Sequence, residues 1–485
     1  MTELRTALFK KVAAKTIRDQ RLQSGIKKAI HHFRDGRARA VEEMGPQVWQ
    51  QLQERARQIK SDLLKDLDFY LDMLARQVEA NGGHVYFAKD AETACRIVAE
   101  IARSHDVRLI AKTKSMVSEE IGLNRHLIEQ GFEVVETDLG EYVIQLAGEP
   151  PYHIIGPAMH KTRQEVAHLF GRDGDEAETL SIGDLAGIAR QRLRDKFLHA
   201  DMGISGANFV VAETGHIVLV TNEGNARYCT SLPPVHVAVT GMEKLVPTLE
   251  DLAVMLKLLP RSATGQRLSS YITLAGGPRR SPKEDGPDEF HLVLVDNGRS
   301  RILNDLMFRD ILFCMRCGSC LNHCPIFLKV GGHAYGATYP GPIGSVLTTM
   351  LEGGARAKDL VFACTLCGIC EEMCPYSLDI PSMLLELRSR INTSNDPRDR
   401  KSSMVEKSVV QAWYQMMVRR PLLVAARTLG RWFELPFARD GHVGKLPIPI
   451  LSRWTRKRDL PVFPSRTFTQ IWKDRLSKDG REEQQ

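Results

Sequence analysis

FCMRCGSCLNHCPIF (313–327) and ACTLCGICEEMCPYS (363–377) share one punctuation, Cys-x-x-Cys-x-x-Cys-x-x-x-Cys-Pro. It falls on Cys314, Cys317, Cys320 and Cys324 in the first run and on Cys364, Cys367, Cys370 and Cys374 in the second. The copies are offset by 50 residues and hold eight of the chain's 10 cysteines. Three cysteines at three-residue intervals wrap a tight loop around a compact object and present three thiolates to three corners of an iron-sulfur cube. The fourth corner must come from elsewhere, and in two-cluster proteins of this spacing the last cysteine of each run serves the other cluster. The spacing therefore predicts two [4Fe-4S] clusters, one held by Cys314, Cys317, Cys320 and Cys374, the other by Cys364, Cys367, Cys370 and Cys324. Structural zinc would draw four ligands from two separated pairs, and disulfides would be out of place in a reducing compartment. Both fit the repeat less well.

Paired cubes move single electrons. Arg316 and His323 sit inside the first loop, whereas Glu371, Glu372 and Asp379 occupy or follow the second. Positive charge stabilises the more negative reduced cluster, so the cluster of the first loop is expected to have the higher potential. The 39 residues between Cys324 and Cys364 are too many for a tight loop. SVLTTMLEGG (345–354) reads as a short helix stopped by glycines and PSMLLELRSRI (381–391) as a helix opening on proline. A helical two-cluster ferredoxin-like domain over 301–395 follows. Of the remaining cysteines, Cys95 reads as buried packing and Cys229 has no ligand neighbours in sequence.

Upstream, over 65–300, apolar strand-like runs alternate with helical patterns. The runs are HVYFA (84–88), VRLIAK (107–112), FEVVETD (132–138), YHIIG (152–156), ANFVVAE (207–213), HIVLVT (216–221), VHVAVT (235–240), YITLA (271–275) and HLVLVDNG (291–298). Such alternation predicts an α/β domain with a largely parallel sheet and an antiparallel excursion turning at Thr214-Gly215. No dinucleotide-binding glycine fingerprint, P-loop or zinc-hydrolase motif is present. Candidate ligand groups sit at strand ends and turns, where α/β folds place their sites: Lys112 and Lys114, then Asn208, Glu213, Thr214, Asn222, Glu223 and Arg227. Solvated loop lysines and ordinary turns are the competing readings. His153, His216 and His236, in or beside apolar runs, read as packing histidines.

Composition is that of a globular chain: 43% hydrophobic, 26% charged, 37 glycines and 23 prolines among 485 residues, which excludes collagen-like and wholly disordered classes. No apolar stretch approaches the roughly 18 residues of a bilayer crossing, and MTELRTALFKKVAAKTIRDQ lacks the apolar core of a secretory signal. A cytoplasmic protein is expected. Net charge is +7, but residues 1–60 hold 14 basic against 6 acidic side chains and residues 398–485 hold 19 against 9, so the body is acidic and both ends are basic. Without a recognition-fold signature, nucleic acid is not expected as a partner.

The order of an α/β domain containing AKTKSMVSEEIGLN and AETGHIVLVTNEGNAR, two cysteine runs separated by a YPGPIG loop, and a basic tail resembles the lactate utilization protein B family of bacterial iron-sulfur proteins, over roughly residues 20–460. The resemblance implies a role in oxidising L-lactate to pyruvate, in a three-component system. The expected partners are another cysteine-rich iron-sulfur protein and a smaller protein carrying only the α/β domain. It also implies that this domain is similar in fold to the cyclo-ligase and CoA-transferase-like group. Removing a hydride needs a two-electron acceptor, and no flavin or nicotinamide motif is present, so such a cofactor, if used, is expected on a partner. The chain reads as an oxidoreductase subunit that is not self-sufficient, with no catalytic residue assigned. Two alternatives stay open: a redox-sensing or ligase-like small-molecule module, and electron transfer for another 2-hydroxy acid such as glycolate.

Four of the five tryptophans, Trp413, Trp432, Trp454 and Trp472, lie among arginines in the segment 396–485. Rings with arginine suit subunit docking; a basic amphipathic helix on the inner membrane face and an intramolecular cover are the alternatives. The N-terminal segment 1–64, with QSGIKKAIHHFRDGRARAVEEM, reads as an exposed basic helix, and SKDGREEQQ at the end as disordered.

Overall fold

β-Branched runs form the strands of the α/β region: β1 (His84–Ala88), β2 (Leu109–Lys112), β3 (Glu133–Glu136), β4 (Met202–Ser205), β5 (Phe209–Val211), β6 (His216–Thr221), β7 (Val235–Gly241), β8 (Leu245–Val246), β9 (Tyr271–Ala275) and β10 (Glu289–Val295). They are seen in a computed structural model that describes residues 6–394, 396, 398, 404–444, 455 and 458–482. Six strands pair in the order β1-β10-β7-β4-β2-β3, every pair parallel. Central β4 and β7 are buried along their whole length, which is why β7 reads as a nearly unbroken apolar run. The antiparallel excursion is a separate four-stranded sheet, β8-β5-β6-β9, whose β5–β6 hairpin turns at Gly215 with φ +73°.

Two expectations fail for local reasons. YHIIG (152–156) forms no strand: it is a chain of bends in which Tyr152, His153 and Ile154 are buried against the cysteine region. Conversely, β4 went unanticipated because its pattern is broken by Gly203, where a Cβ would stand 1.8 Å from the Cys229 carbonyl oxygen. The stretch after β2 forms two helices, Met116–Ile121 and Leu123–Glu129, divided at left-handed Gly122.

Helix Ala91–Ser104 covers one face of the parallel sheet, burying Ala94, Cys95, Val98 and Ala102 at helical spacing from a cap in which Asp90 accepts from the Thr93 amide. The cysteine region is helical, as expected. SVLTTMLEGG lies in helix Gly341–Glu352, and PSMLLELRSRI in helix Ile380–Thr393, with a proline in the first turn of each.

The N-terminal segment is not an exposed basic helix. Helix Gln20–Met44 buries Ile26, Ile30, Arg37 and Ala40, and with helix Pro46–Lys65 it grips the cysteine loops through their carbonyls. Arg34 Nε donates to Asn322 O at 2.7 Å, Arg37 Nη2 to Met373 O at 3.3 Å, Gln53 Nε2 to Cys374 O at 2.9 Å and Arg57 Nη1 to Tyr376 O at 3.0 Å. A tight loop around a cluster leaves its carbonyls without ladder partners, and long donors supply them.

The described chain forms two compact units, Met1–Lys401 and Ser402–Gln485. The second holds helices Met404–Val418, Arg420–Glu434 and Phe468–Glu482 and a small antiparallel sheet of Ala438–Arg439, His442–Val443 and Leu460–Pro461. The C-terminal tail expected to be disordered is thus helical through Glu482; Trp454 lies outside the described residues. Among the described residues no helix is long and apolar enough to cross a membrane.

Candidate functional site

Both cysteine loops follow the same backbone path. Two residues after the first cysteine, Arg316 and Leu366 adopt left-handed φ of +62° and +57°, and two residues further on Gly318 and Gly368 do so at +77° and +83°. This curl turns amides inward: Arg316 N lies 3.4 Å from Cys314 Sγ and Leu366 N 3.3 Å from Cys364 Sγ. At the exit of the first run, Phe327 N lies 3.5 Å from Cys324 Sγ, with Pro325 in the first helical turn.

The thiols gather in two groups that mix the runs. Burial pushes Cys317 up to about 12, and the charges next most responsible are Cys314 and then Cys374, from the other run. Burial likewise raises Cys370 to about 12, helped by Cys364, by Cys324 from the first run and by Cys367. Cys324 rises to about 11 by burial, with Cys364 and Cys367 as its sulfur neighbours. Four crowded thiols that resist ionising beside one another suit a polycationic core that takes all four as thiolates, and all eight are free of disulfides. The donor set fits two [4Fe-4S] clusters. Each group has two buried thiols, Cys317 and Cys374 in one and Cys324 and Cys370 in the other; Cys367 is the exposed one among the eight.

A cavity of about 360 Å³ lies where the carboxyl ends of the parallel strands meet the first cysteine loop. Its wall includes Lys114 after β2, Asp138 after β3, Asn208 after β4 and Lys244 after β7, together with Arg316 and Cys317. Open α/β sheets bind ligands at this edge. A buried ionic network fixes the seam: Glu120 accepts both Nη atoms of Arg299 at 2.9 Å and the Tyr339 hydroxyl at 2.7 Å, and Glu243 takes Arg299 Nε at 2.5 Å and Arg316 Nη2 at 3.2 Å. Burial alone would raise Glu243, but Arg299 and Arg316 outweigh it and hold the carboxyl at about 2.

Of the eight α/β candidates, Lys114, Asn208, Asn222 and Glu223 line this cavity and the other four do not. Lys112 is buried in an ion pair with Glu136 at 2.6 Å, which together with Glu119 outweighs desolvation and raises its pKa. Glu213 accepts from the Leu249 amide at 2.6 Å, the Thr214 carbonyl accepts from Asn81, and Arg227 is exposed. Asn208 spends its carbonyl oxygen on Val220 N at 2.8 Å. Glu223 accepts from Leu139 N at 3.2 Å, and burial, then neighbouring Asp138, raise its carboxyl to about 7. Sequence reasoning missed Asp138 and Lys244. The available signal for Lys244 was the charged pair in GMEK directly after the apolar run of β7. His153 and His236 are buried, hydrogen-bonded to Asn322 and Ser205 respectively, and His216 pairs with the Thr214 carbonyl. Cys95 is buried packing, and Cys229 meets Thr137 Oγ1 at 3.3 Å.

Residues 71–295 match the LUD domain family, and residues 310–378 match the 4Fe-4S dicluster domain. Lactate utilization protein B of Oceanobacillus iheyensis is 42% identical over 467 residues, covering 96% of either chain. Its namesake in Bacillus subtilis (strain 168) is 40% identical over 481 residues, covering 99% of either chain. A protein of Escherichia coli (strain K12), named Uncharacterized electron transport protein YkgF, is 40% identical over 482 residues, covering 98% of either chain. With both parts matched in this order and relatives aligned over nearly their whole length, the chain belongs to the lactate utilization protein B family and carries a 4Fe-4S dicluster domain.

Proposed function

We propose that this protein is the iron-sulfur electron-transfer subunit of a system oxidising L-lactate to pyruvate. One observation carries the reading: a cavity at the carboxyl edge of the parallel sheet has Cys317 of the first loop in its wall, while Cys367 of the other thiol group is exposed. Cys314, Cys317, Cys320 and Cys374 hold one [4Fe-4S] cluster, and Cys364, Cys367, Cys370 and Cys324 the other. Bound, the two clusters supply one-electron transfer. The chain's own residues set direction: Lys114, Asp138, Glu223 and Lys244 offer charge to a bound molecule, the Glu243–Arg316 pair seats the first loop against the cavity, and Cys367 presents a surface to a partner.

The partners are a second cysteine-rich iron-sulfur protein and a smaller α/β-domain protein, one of which brings the flavin or nicotinamide that accepts two electrons. Docking falls to the C-terminal unit, where Trp413 and Trp432 are 56% and 71% exposed among arginines; attachment at the inner membrane face would use the same surface. The α/β region is assigned the cyclo-ligase and CoA-transferase-like fold, supported by a parallel sheet that opens its cavity at the carboxyl edge.

The test is anaerobic purification of the protein and its partners, iron and sulfide counting, and addition of L-lactate. Bleaching of the cluster absorbance by lactate is the expected result. Bleaching by glycolate alone would change the substrate, and no bleaching with all partners present would favour a redox-sensing or ligase-like module.

A further inference from the structure

At the amino edge of the parallel sheet, opposite the edge that opens the cavity, three potential metal ligands converge. Glu289 opens β10, His291 follows it on the same face, and His105 caps the end of helix Ala91–Ser104. One ligand atom from each lies within 4.8 Å of the other two. Glu289 Oε2 stands 3.1 Å from His105 Nε2 and 3.3 Å from His291 Nε2. His291 is 3% exposed and forms the floor, while half-buried His105 and Glu289 form a rim that solvent reaches.

The second nitrogen of each ring is already held. His105 Nδ1 lies 2.9 Å from the Ile101 carbonyl, which can only accept, so Nδ1 carries a proton and the neutral ring turns its Nε2 lone pair on the carboxylate. His291 Nδ1 meets the Tyr86 hydroxyl at 3.2 Å, and its ring stacks on His84 with centroids 5.1 Å apart. Its Nε2 is buried without a hydrogen-bond partner, despite the carboxylate beside it. A proton on His105 would complete that ring alone and leave His291 orphaned; a metal ion completes both. Metal-ligating histidines commonly hold their other nitrogen in such a bond, which fixes ring and tautomer.

The donor set selects the metal. Two imidazoles with one carboxylate suit zinc, whereas magnesium and calcium take oxygen ligands. Ligands about 2.0–2.1 Å from a tetrahedral zinc stand roughly 3.3 Å apart, close to both Glu289 spacings. A helix end, with its outward carbonyls, also favours a cation. Among the described residues no lysine or arginine pairs with Glu289. A second set, Glu149, His160 and His333, lacks this freedom: Lys161 Nζ holds Glu149 at 2.5 Å, and His333 Nε2 lies 2.8 Å from the Pro150 carbonyl oxygen.

We propose that His105 Nε2, His291 Nε2 and Glu289 Oε2 bind a zinc ion, with a fourth position open to water at the rim. The site is independent of the function proposed above, since it shares no residue with the cavity or the cysteine loops.

The experiment uses untagged full-length protein, purified anaerobically with both clusters, freed of loosely held metal on a chelating resin and titrated with zinc against a chromophoric chelator. One zinc per chain should bind with iron and sulfide unchanged, and magnesium should not compete. X-ray absorption at the zinc edge should show nitrogen and oxygen at about 2.0–2.1 Å and no sulfur at about 2.3 Å; this reading needs no variant. Glu289→Gln and His105→Asn should each weaken zinc binding tenfold or more, and Tyr86→Phe, which removes only the partner of His291 Nδ1, roughly tenfold. His160→Asn should bind as the parent does. The proposal is overturned if no zinc is held against the chelator, if magnesium competes, if Glu289→Gln keeps parental affinity, or if His160→Asn alone loses the metal, which would move it to the second set. Sulfur in the zinc shell overturns it too, because that zinc would sit on cysteines of a damaged cluster.

Discussion

Gly318 and Gly368 occupy one place in the two cysteine loops, with left-handed φ of +77° and +83°, and they separate backbone cost from crowding. A Cβ on Gly368 meets nothing within 4 Å, so Gly368→Ala should cost only the left-handed penalty, about 1–2 kcal/mol. On Gly318 it would also press the Ile155 side chain at 3.0 Å. The expected order of thermal stability, and of resistance to bleaching in air, is parent, then Gly368→Ala, then Gly318→Ala. The seam is more sensitive. Glu120→Ala strips Arg299 of its two-pronged partner and leaves the Tyr339 hydroxyl unmatched, and should lose about 3–5 kcal/mol in urea unfolding. His236 gives a pH signature. Burial, and then His291 beside it, lower its pKa to about 3, so the folded chain keeps it neutral while the unfolded chain takes up a proton below about 6.5. Its contribution is complete above that pH and declines as the pH falls toward 3. Between pH 6.5 and 5 the parent should lose about 2 kcal/mol more than His236→Gln in paired calorimetry.

At the scale of elements, helices Gln20–Met44 and Pro46–Lys65 do more than pack. Their donors reach carbonyls beside Cys320, Cys324 and Cys374, and Arg37 bears electrostatically on Cys317 and Cys374. Burial and the nearby Arg37 and Arg34 lower the His323 pKa, so the higher potential expected for the first cluster rests on Arg316, joined by Arg37 from outside the loop. Arg37→Gln should lower that cluster's midpoint by roughly 30–60 mV, a few-fold change in a one-electron equilibrium, and leave the other unmoved. A redox titration followed by EPR reads both. Sequence periodicity exposes the apolar face of Gln20–Met44 but not its basic face's destination. Arginine reads as solvated until the carbonyls it serves come into view, and those belong to loops some 300 residues away, as in the Arg34–Asn322 contact with a separation of 288.

For the whole molecule, the proposed current runs from a cavity at the sheet edge to an exposed loop and out to a partner that meets the Trp-rich C-terminal unit. Replacing Trp413 and Trp432 with serine should leave iron content and unfolding temperature unchanged while abolishing co-purification with the partner subunits. Retained co-purification would move docking elsewhere. Both cluster loops, and all but one of the nine strand readings, could be read from the chain, because ligand spacing and strand patterning are local: they need only neighbouring residues and a fixed period. The cavity could not. Lys112 ends β2 and Lys114 follows it by two residues, yet the fold pairs the first with Glu136 and gives the second to the cavity. Lys244 and Cys317 share a wall although 72 intervening residues separate them in the chain. Cysteine chemistry was settled by covalent order, whereas which charges line a cavity depends on what long-range packing has already neutralised, and only the tertiary structure decides that.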